Sequence, residues 1–248
     1  MTDRLSGKKA IVTGAAQGIG FAVADAFVRE GAQVVILDLN GDLASEAAGK
    51  IGARCTGLQM DVSDEASVKQ GIAAALEVLG GLDIVVNNAG VQRASSIEEA
   101  SVEDWDLQMS VNMRGPFLVL REALPHLSAG ASVINTSSAA GLRGAPGVSG
   151  YCASKGGQIL FTTAAAAELG PRGIRVNAVC PGWVDTPFNG PVIRQMGGTE
   201  AHDAMIRATV PLGRQATPPE IAPTYVFLAS DEASYLTGKA IGVDGGVV

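Results

Sequence analysis

The amino-acid sequence predicts an α/β fold, a doubly wound parallel sheet of about seven strands with helices on both faces. Two observations carry that prediction. Short β-branched runs alternate with longer stretches of helical spacing almost to the end of the 248 residues. This is the rhythm of strand–helix–strand units with right-handed crossovers. Hydrophobic residues make up 47% of the chain and charged ones 17%, which supplies a large core and excludes wholesale disorder. No Pro/Ser-rich linker or repeat interrupts the pattern, so 1–248 reads as one domain.

In chain order the strand-like runs are KAIVTG (9–14), AQVVILD (32–38), ARCTGLQMD (53–61), LDIVVNN (82–88), ASVINTS (131–137), IRVNAVC (174–180) and KAIGVD (239–244). Helical patterns between them include 20–30, 64–80, a long one over 101–127, and 151–170. The stretch 181–217 breaks the rhythm. It opens PGWVDTPFNGP, with GG at 197–198 and PLGR at 211–214. A connection this long is expected to be a substrate lid, at about 184–214.

Net charge is −7 with no long basic run, which argues against nucleic acid or an anionic membrane as partner. The opening MTDRLSGKKAIVTG has no apolar core of signal length, and no apolar run approaches a bilayer span. Cys55, Cys152 and Cys180 stand at unrelated spacings, which fits a reducing cytosol, so a cytoplasmic location is expected. With only His126 and His202, and no CxxC or HxxxH, no metal site is expected. Carbonyl chemistry here would have to proceed without one.

The first strand ends in TGAAQGIG (13–20) and runs straight into a helix. A glycine-rich turn there lets backbone N–H groups and the helix N-terminus approach a pyrophosphate. Gly14, Gly18 and Gly20 are spaced GxxxGxG, a departure from GxGxxG that by itself also suits a plain tight turn. Asp38 ends the second strand eighteen residues after Gly20, where a dinucleotide fold needs an acid for the ribose hydroxyls. A carboxylate there repels a 2′-phosphate by roughly 1–4 kcal/mol at ~4 Å. No Arg or Lys offsets it, since Ala15 and Ala16 occupy the turn and Leu39 follows. NAD is therefore expected over NADP; the competing role for Asp38 is to open the turn LNGD.

With these motifs in order, the sequence resembles the short-chain dehydrogenase/reductase family in its compact, single-domain, Rossmann-type branch. The match spans essentially the whole chain: TGAAQGIG (13–20), DV (61–62), NNAG (87–90), Asn112 in VNMRGPF, Ser138 in NTSSAAG, YCASK (151–155), PGWVDTP (181–187) and DGG (244–246). The resemblance implies hydride transfer between a secondary alcohol, or its ketone, and a nicotinamide cofactor. It implies Asn112, Ser138, Tyr151 and Lys155 as catalytic residues. Gly14, Gln17, Gly18, Ile19 and Gly20 would hold the cofactor with Asp38 and Leu39. Asp61 would accept from the adenine amino group beside Val62, and Asn88, Ala89 and Gly90 would lie along the adenine ribose, with Asn87 structural. After Pro181 and Gly182, the Val184 backbone and the Thr186 hydroxyl would hold the carboxamide. Asp61 and Ser63 equally suit as caps for the helix from Asp64.

Tyr151 and Lys155 are i and i+4 on an expected helix, so they share a face. A free tyrosine has a pKa of ~10 and a nearby ammonium favours the phenolate. Tyr151 is therefore expected to take the hydroxyl proton of a carbinol and to return it in reduction. Ser138, thirteen residues earlier, is expected to hydrogen-bond the substrate oxygen, with Ser137 its less well-spaced rival. Lys155 is also expected to grip the nicotinamide ribose. Asn112, mid-helix where its side chain is disfavoured, would hold a water linking Lys155 to solvent. Cys152 reads as a small filler.

Candidate substrate residues are Gln92, Ser138, Ala140, Arg143, Val148, Trp183, Phe188 and Met196, with Arg93, Leu142 and Met205 as further candidates. Most are apolar, which suits a neutral secondary alcohol or ketone of modest size. Arg143 and Arg194 keep an alternative open. VCPGWVDTP also resembles relatives that oxidise hydroxy acids or keto-deoxy sugar acids, in which arginines hold a carboxylate. A catalytically silent NAD(H)-binding redox sensor is disfavoured because all four polar residues are kept. An NADPH-dependent acyl-carrier-protein ketoreductase is disfavoured by Asp38 and by the lack of a basic docking patch. A sugar-nucleotide epimerase would need a further domain. The resemblance implies a homotetramer, with TTAAAAEL (162–169) packed on its copy and the apolar VDGGVV end at a second interface.

Overall fold

In the computed structural model, which describes residues 3–247, seven strands form one sheet. They are β1 (Lys9–Thr13), β2 (Gln33–Asp38), β3 (Cys55–Gln59), β4 (Leu82–Asn87), β5 (Leu127–Thr136), β6 (Arg175–Pro181) and β7 (Ala240–Val243). Their order is β3-β2-β1-β4-β5-β6-β7 and every pairing is parallel. The expected doubly wound sheet is thus the one the chain forms. Its strand order reverses between β1 and β4, which opens a crevice at the carboxyl ends of those two strands.

Alternation along each strand feeds two apolar layers. Ala10 and Val12 of β1 join Val34, Ile36, Ile84 and Val86 on one face, while Ile11 joins Val35, Leu37 and Val85 on the other. The first layer is closed by α1 (Gly18–Arg29), α2 (Gly41–Ile51) and α10 (Pro218–Ala229). The second is closed by α3 (Glu65–Leu79), α5 (Gly115–Ala123) and α7 (Ser149–Leu169). Strands covered on both faces are what a β-branched sequence without polar alternation specifies.

Two sequence expectations change. The long helix over 101–127 is interrupted: α4 (Val102–Met109) passes through a π-helical turn, Ser110–Arg114, into α5, and a 3₁₀ turn, Leu124–His126, follows. Such single-turn widenings insert a residue into the helix and cluster at functional sites. The cap of α3 is Asp64, whose side chain accepts from the Ser67 N–H at 2.7 Å. Asp61 instead accepts from the backbone and hydroxyl of Ser63 at 2.8 and 2.7 Å.

The stretch expected as a lid holds a 3₁₀ turn, Pro187–Asn189, then α8 (Gly190–Gln195) and α9 (Thr199–Thr209). The remaining helix, α6 (Ala139–Arg143), leads from β5 towards α7. Among the described residues, no helix is long and apolar enough to cross a membrane, and no cluster of His, Cys, Asp and Glu suits a metal ion.

Candidate active site

The carboxyl ends of β1, β2, β4, β5 and β6 open into a cavity of about 930 Å³, at the upper end of the range for small-molecule and cofactor sites. At its floor β1 turns through Gly14 into α1. No side chain caps α1 at Gln17, and its first turn has no acidic residue, so the positive end of the helix is left for an anion. Gly18 takes φ 62°, and a Cβ there would come to 3.5 Å from Thr186 Cγ2, narrowing the gap across the cavity. Asn88 braces the turn by donating to the carbonyls of Thr13 and Gly14 at 3.0 and 2.9 Å. Asn87 points away, donating to Asn135 at 2.9 Å within the sheet.

Gly20 is expected to hold cofactor but does not line the cavity. A Cβ there would lie 2.5 Å from both Asn88 Nδ2 and the Gly14 carbonyl, so its role is to let α1 pack closely on the turn. The other sequence-predicted cofactor residues do line the cavity: Gly14, Gln17, Gly18, Ile19, Asp38, Leu39, Asp61, Val62, Asn88, Ala89, Gly90, Tyr151, Lys155, Pro181, Gly182, Val184 and Thr186. Asp38 receives the N–H of Ala16 at 3.1 Å and of Asn40 at 3.2 Å. It thereby ties the glycine turn to the end of β2. The Val184 carbonyl is taken by Asn189 Nδ2 at 2.7 Å.

Tyr151 and Lys155 project from α7, 6% and 2% exposed. Burial pushes the Tyr151 phenol up to about 12, and the Ser138 hydroxyl pulls against it. Burial brings the Lys155 ammonium down to about 8, with Cys180 opposing. The expected lowering of the phenol by the ammonium is therefore not the net effect in the protein by itself. Lys155 Nζ stands over the Tyr151 ring, 5.8 Å from its centre, and donates to the Thr136 carbonyl at 2.7 Å. Desolvation is the largest cause of both shifts.

The two serines separate cleanly. Ser137 donates to the Lys155 carbonyl at 2.8 Å, stitching β5 to α7. Ser138 caps α6, accepting from the Ala140 N–H at 3.1 Å, and is the serine whose hydroxyl pulls the phenol's pKa down. Asn112 lies behind the cavity wall, fully buried in the π-helical turn. Its amide accepts from the Val91 N–H and donates to the Val91 carbonyl, both at 2.9 Å, and donates to Ser154 at 3.0 Å. Ser154 passes the chain on to the Tyr151 carbonyl at 2.8 Å. The Asn112 side chain thus ties the loop after NNAG to α7.

The substrate candidates Gln92, Ser138, Ala140, Arg143, Val148, Trp183, Phe188 and Met196 all line the cavity, as does Met205 from α9. Arg194 does not; it is exposed on α8. Sequence reasoning missed Val192 and Gln195 of α8, Thr209 of α9, and Val247 near the C-terminus. Val248, the last residue of the apolar VDGGVV end, lies outside the described residues. The Phe188 ring lies 5.9 Å from that of Tyr151, at the start of the stretch that carries α8 and α9.

A family model described as enoyl-(acyl carrier protein) reductase matches residues 14–248. The 3-oxoacyl-[acyl-carrier-protein] reductase FabG of Thermotoga maritima is 39% identical, covering 99% of each chain. The chain belongs to the short-chain dehydrogenase/reductase family. Another relative within the family, the 2,5-dichloro-2,5-cyclohexadiene-1,4-diol dehydrogenase LinX of Sphingobium indicum, is 40% identical over 99% of this chain and 98% of its own. A 3-ketoacyl-(acyl-carrier-protein) reductase from Brucella melitensis, solved with NADH, superposes with a TM-score of 0.90 at 35% identity, covering 98% and 99% of the two chains. This short-chain dehydrogenase/reductase is accordingly an oxidoreductase of alcohols and ketones that uses a nicotinamide cofactor. The uncapped start of α1, the open gap at Gly18 and the size of the cavity fit such a group.

Proposed function

We propose that this protein is an NAD-dependent dehydrogenase of a secondary alcohol, or reductase of its ketone, with Tyr151 as general acid/base. The observation that carries the reading is that Ser138, the buried Tyr151 phenol and Lys155 all line one cavity, with the Lys155 ammonium over the Tyr151 ring. The cofactor supplies the hydride acceptor or donor. Tyr151, neutral in the protein by itself, gives its proton to the oxygen of a carbonyl in reduction and becomes phenolate; in oxidation it must first be phenolate, which then takes the proton of the carbinol. Ser138 donates to the same oxygen, and the two donors offset its developing charge. Ammonium carries three N–H donors; Lys155 keeps one on Thr136 and lines the cavity where the nicotinamide ribose would lie.

Preference for NAD is supported by charge. Asp38 lines the cavity, and the cations lining it are Lys155 and Arg143, neither beside the glycine turn. A second reading, oxidation of a hydroxy acid or keto-deoxy sugar acid, is favoured by Arg143. It lines the cavity and has no ion pair among the described residues. We read the chain as one catalytic unit with α8 and α9 as its lid. Exposed Leu160 on α7 and Phe117 on α5 support assembly as a homotetramer, which light scattering would test.

The deciding experiment is NADH or NADPH formation by purified protein. The panel holds simple secondary alcohols, aryl alcohols, 3-hydroxy acids and sugar acids, each offered with NAD⁺ and NADP⁺. Turnover of neutral alcohols with NAD⁺ is expected. Turnover only of acids would shift the conclusion to the arginine-held carboxylate, and turnover only with NADP⁺ would overturn the role of Asp38.

A further inference from the structure

Beneath the acid/base pair, Gln158 holds an amide in a place that accommodates only half of it. Its side chain is 1% exposed on α7. Its Oε1 faces the Lys155 ammonium at 3.4 Å, while its Nε2 has no partner. Lys155 and Gln158 are i and i+3, neighbours on one face of the helix. An ammonium carries donors and no acceptor, so turning the amide over would set its NH₂ against Lys155. The lysine thus fixes which end of the amide faces it, and the other end is buried unsatisfied. An unsatisfied buried polar atom needs a reason, and an unbranched apolar side chain of equal length would avoid it. Packing alone therefore does not account for glutamine here.

We propose that Gln158 is a positioning residue for Lys155: its amide oxygen holds the ammonium from below, opposite the cavity, and favours its charged form. The argument rests on the reading of Tyr151 and Lys155 as the acid/base pair. Lys155 has no carboxylate partner among the described residues. Its acceptors are the Thr136 carbonyl of β5 and Gln158. The titratable groups facing it are Tyr151 from α7 and Cys180 from β6, with Asp244 beyond Cys180. Two of its three N–H groups are thus engaged from the protein side, and one remains for the cavity.

The test is the titration of Lys155 itself, followed by NMR in protein labelled at the lysine side chains and assigned with Lys155→Met. Gln158→Met keeps the shape and removes the acceptor, so the Lys155 midpoint should fall by about one pH unit. Gln158→Glu offers a carboxylate, and the midpoint should rise by at least about one unit. Circular dichroism and NADH binding by fluorescence establish that each variant is folded. Opposite shifts in folded variants support the assignment. An unmoved midpoint, or shifts of one sign in both, overturns it whatever the turnover panel gives. Undiminished turnover in Tyr151→Phe would instead remove the acid/base reading, and with it the catalytic purpose of the contact, even if Lys155 titrates as expected.

Discussion

The Lys155 ammonium lies 5.8 Å from the centre of the Tyr151 ring, over its face. Burial nonetheless keeps the phenol neutral, with its pKa up at about 12. The resting pair is therefore an acid with its proton in place, the state that reduction of a carbonyl requires. Oxidation needs the phenolate, so its rate should climb with pH through the neutral range while reduction does not.

Tyr151→Phe removes the proton and leaves the ring contact with Phe188. Turnover should fall by roughly 10²–10⁴-fold, the usual worth of a positioned acid/base, with NADH binding retained. Ser138→Ala should cost about 10²–10³-fold as one donor to the developing charge is lost. Steady-state kinetics with NADH titrations check both, and equal activity of Ser137→Ala and Ser138→Ala would contradict the division between the serines.

The lowered lysine also makes a stability prediction. Native Lys155 releases its proton near 8 against 10.5 when free, so between those values the unfolded chain binds more protons and stability rises with pH. The charged form therefore costs the fold roughly 3 kcal/mol below pH 8. Lys155→Met should unfold at higher urea at neutral pH and lack the rise between about pH 8 and 10. Above that, the unfolded Tyr151 phenol ionises first, and stability should fall in both proteins.

What the sequence could and could not convey follows from how each feature is written. Strands buried on both faces announce themselves as β-branched runs, and the glycine turn, Asp38 and the Tyr–Lys pair sit at fixed offsets from them. A π-helical turn leaves no such mark, because one inserted residue barely disturbs a 3.6-residue period, and the long helix around Asn112 therefore looked continuous. The six-residue α8, flanked by Gly and Pro, is too short to show a helical period, and α9 begins only after the break at Gly197 and Gly198. Gly20 shows that a motif glycine serves packing as readily as ligand approach. Gln158 carries no signal of its own, being one polar residue between two glycines and the apolar Ile159–Phe161 until Lys155 is placed beside it.

Asn112 should matter through geometry rather than proton transfer. Asn112→Ala strips Val91 of partners for both its N–H and its carbonyl and releases Ser154. A loss of about 2–4 kcal/mol is expected, with weaker NADH binding as the loop after NNAG loosens. Asn112→Asp keeps the acceptor and loses both donors, so it should fall between the two. Thermal melts and fluorescence titrations check this, and a variant as stable as wild type would refute the clamp.

Asp38 should decide between the two nicotinamide cofactors. Its carboxylate lines the cavity with no cation beside it, so a 2′-phosphate approaching to ~4 Å would meet roughly 1–4 kcal/mol of repulsion. The same carboxylate receives the Ala16 N–H, so substitution also loosens the turn. Asp38→Asn, which retains an acceptor for that N–H, is the cleaner variant. It should raise the KM for NAD⁺ modestly and lower that for NADP⁺ by about tenfold or more. Asp38→Ala should weaken both the turn and the NAD⁺ site, so its NADP⁺ gain should be the smaller. A wild-type preference for NADP⁺, or an Asp38→Asn variant with unchanged discrimination, would mean that the carboxylate serves the turn alone and that the adenosine end is read by other groups.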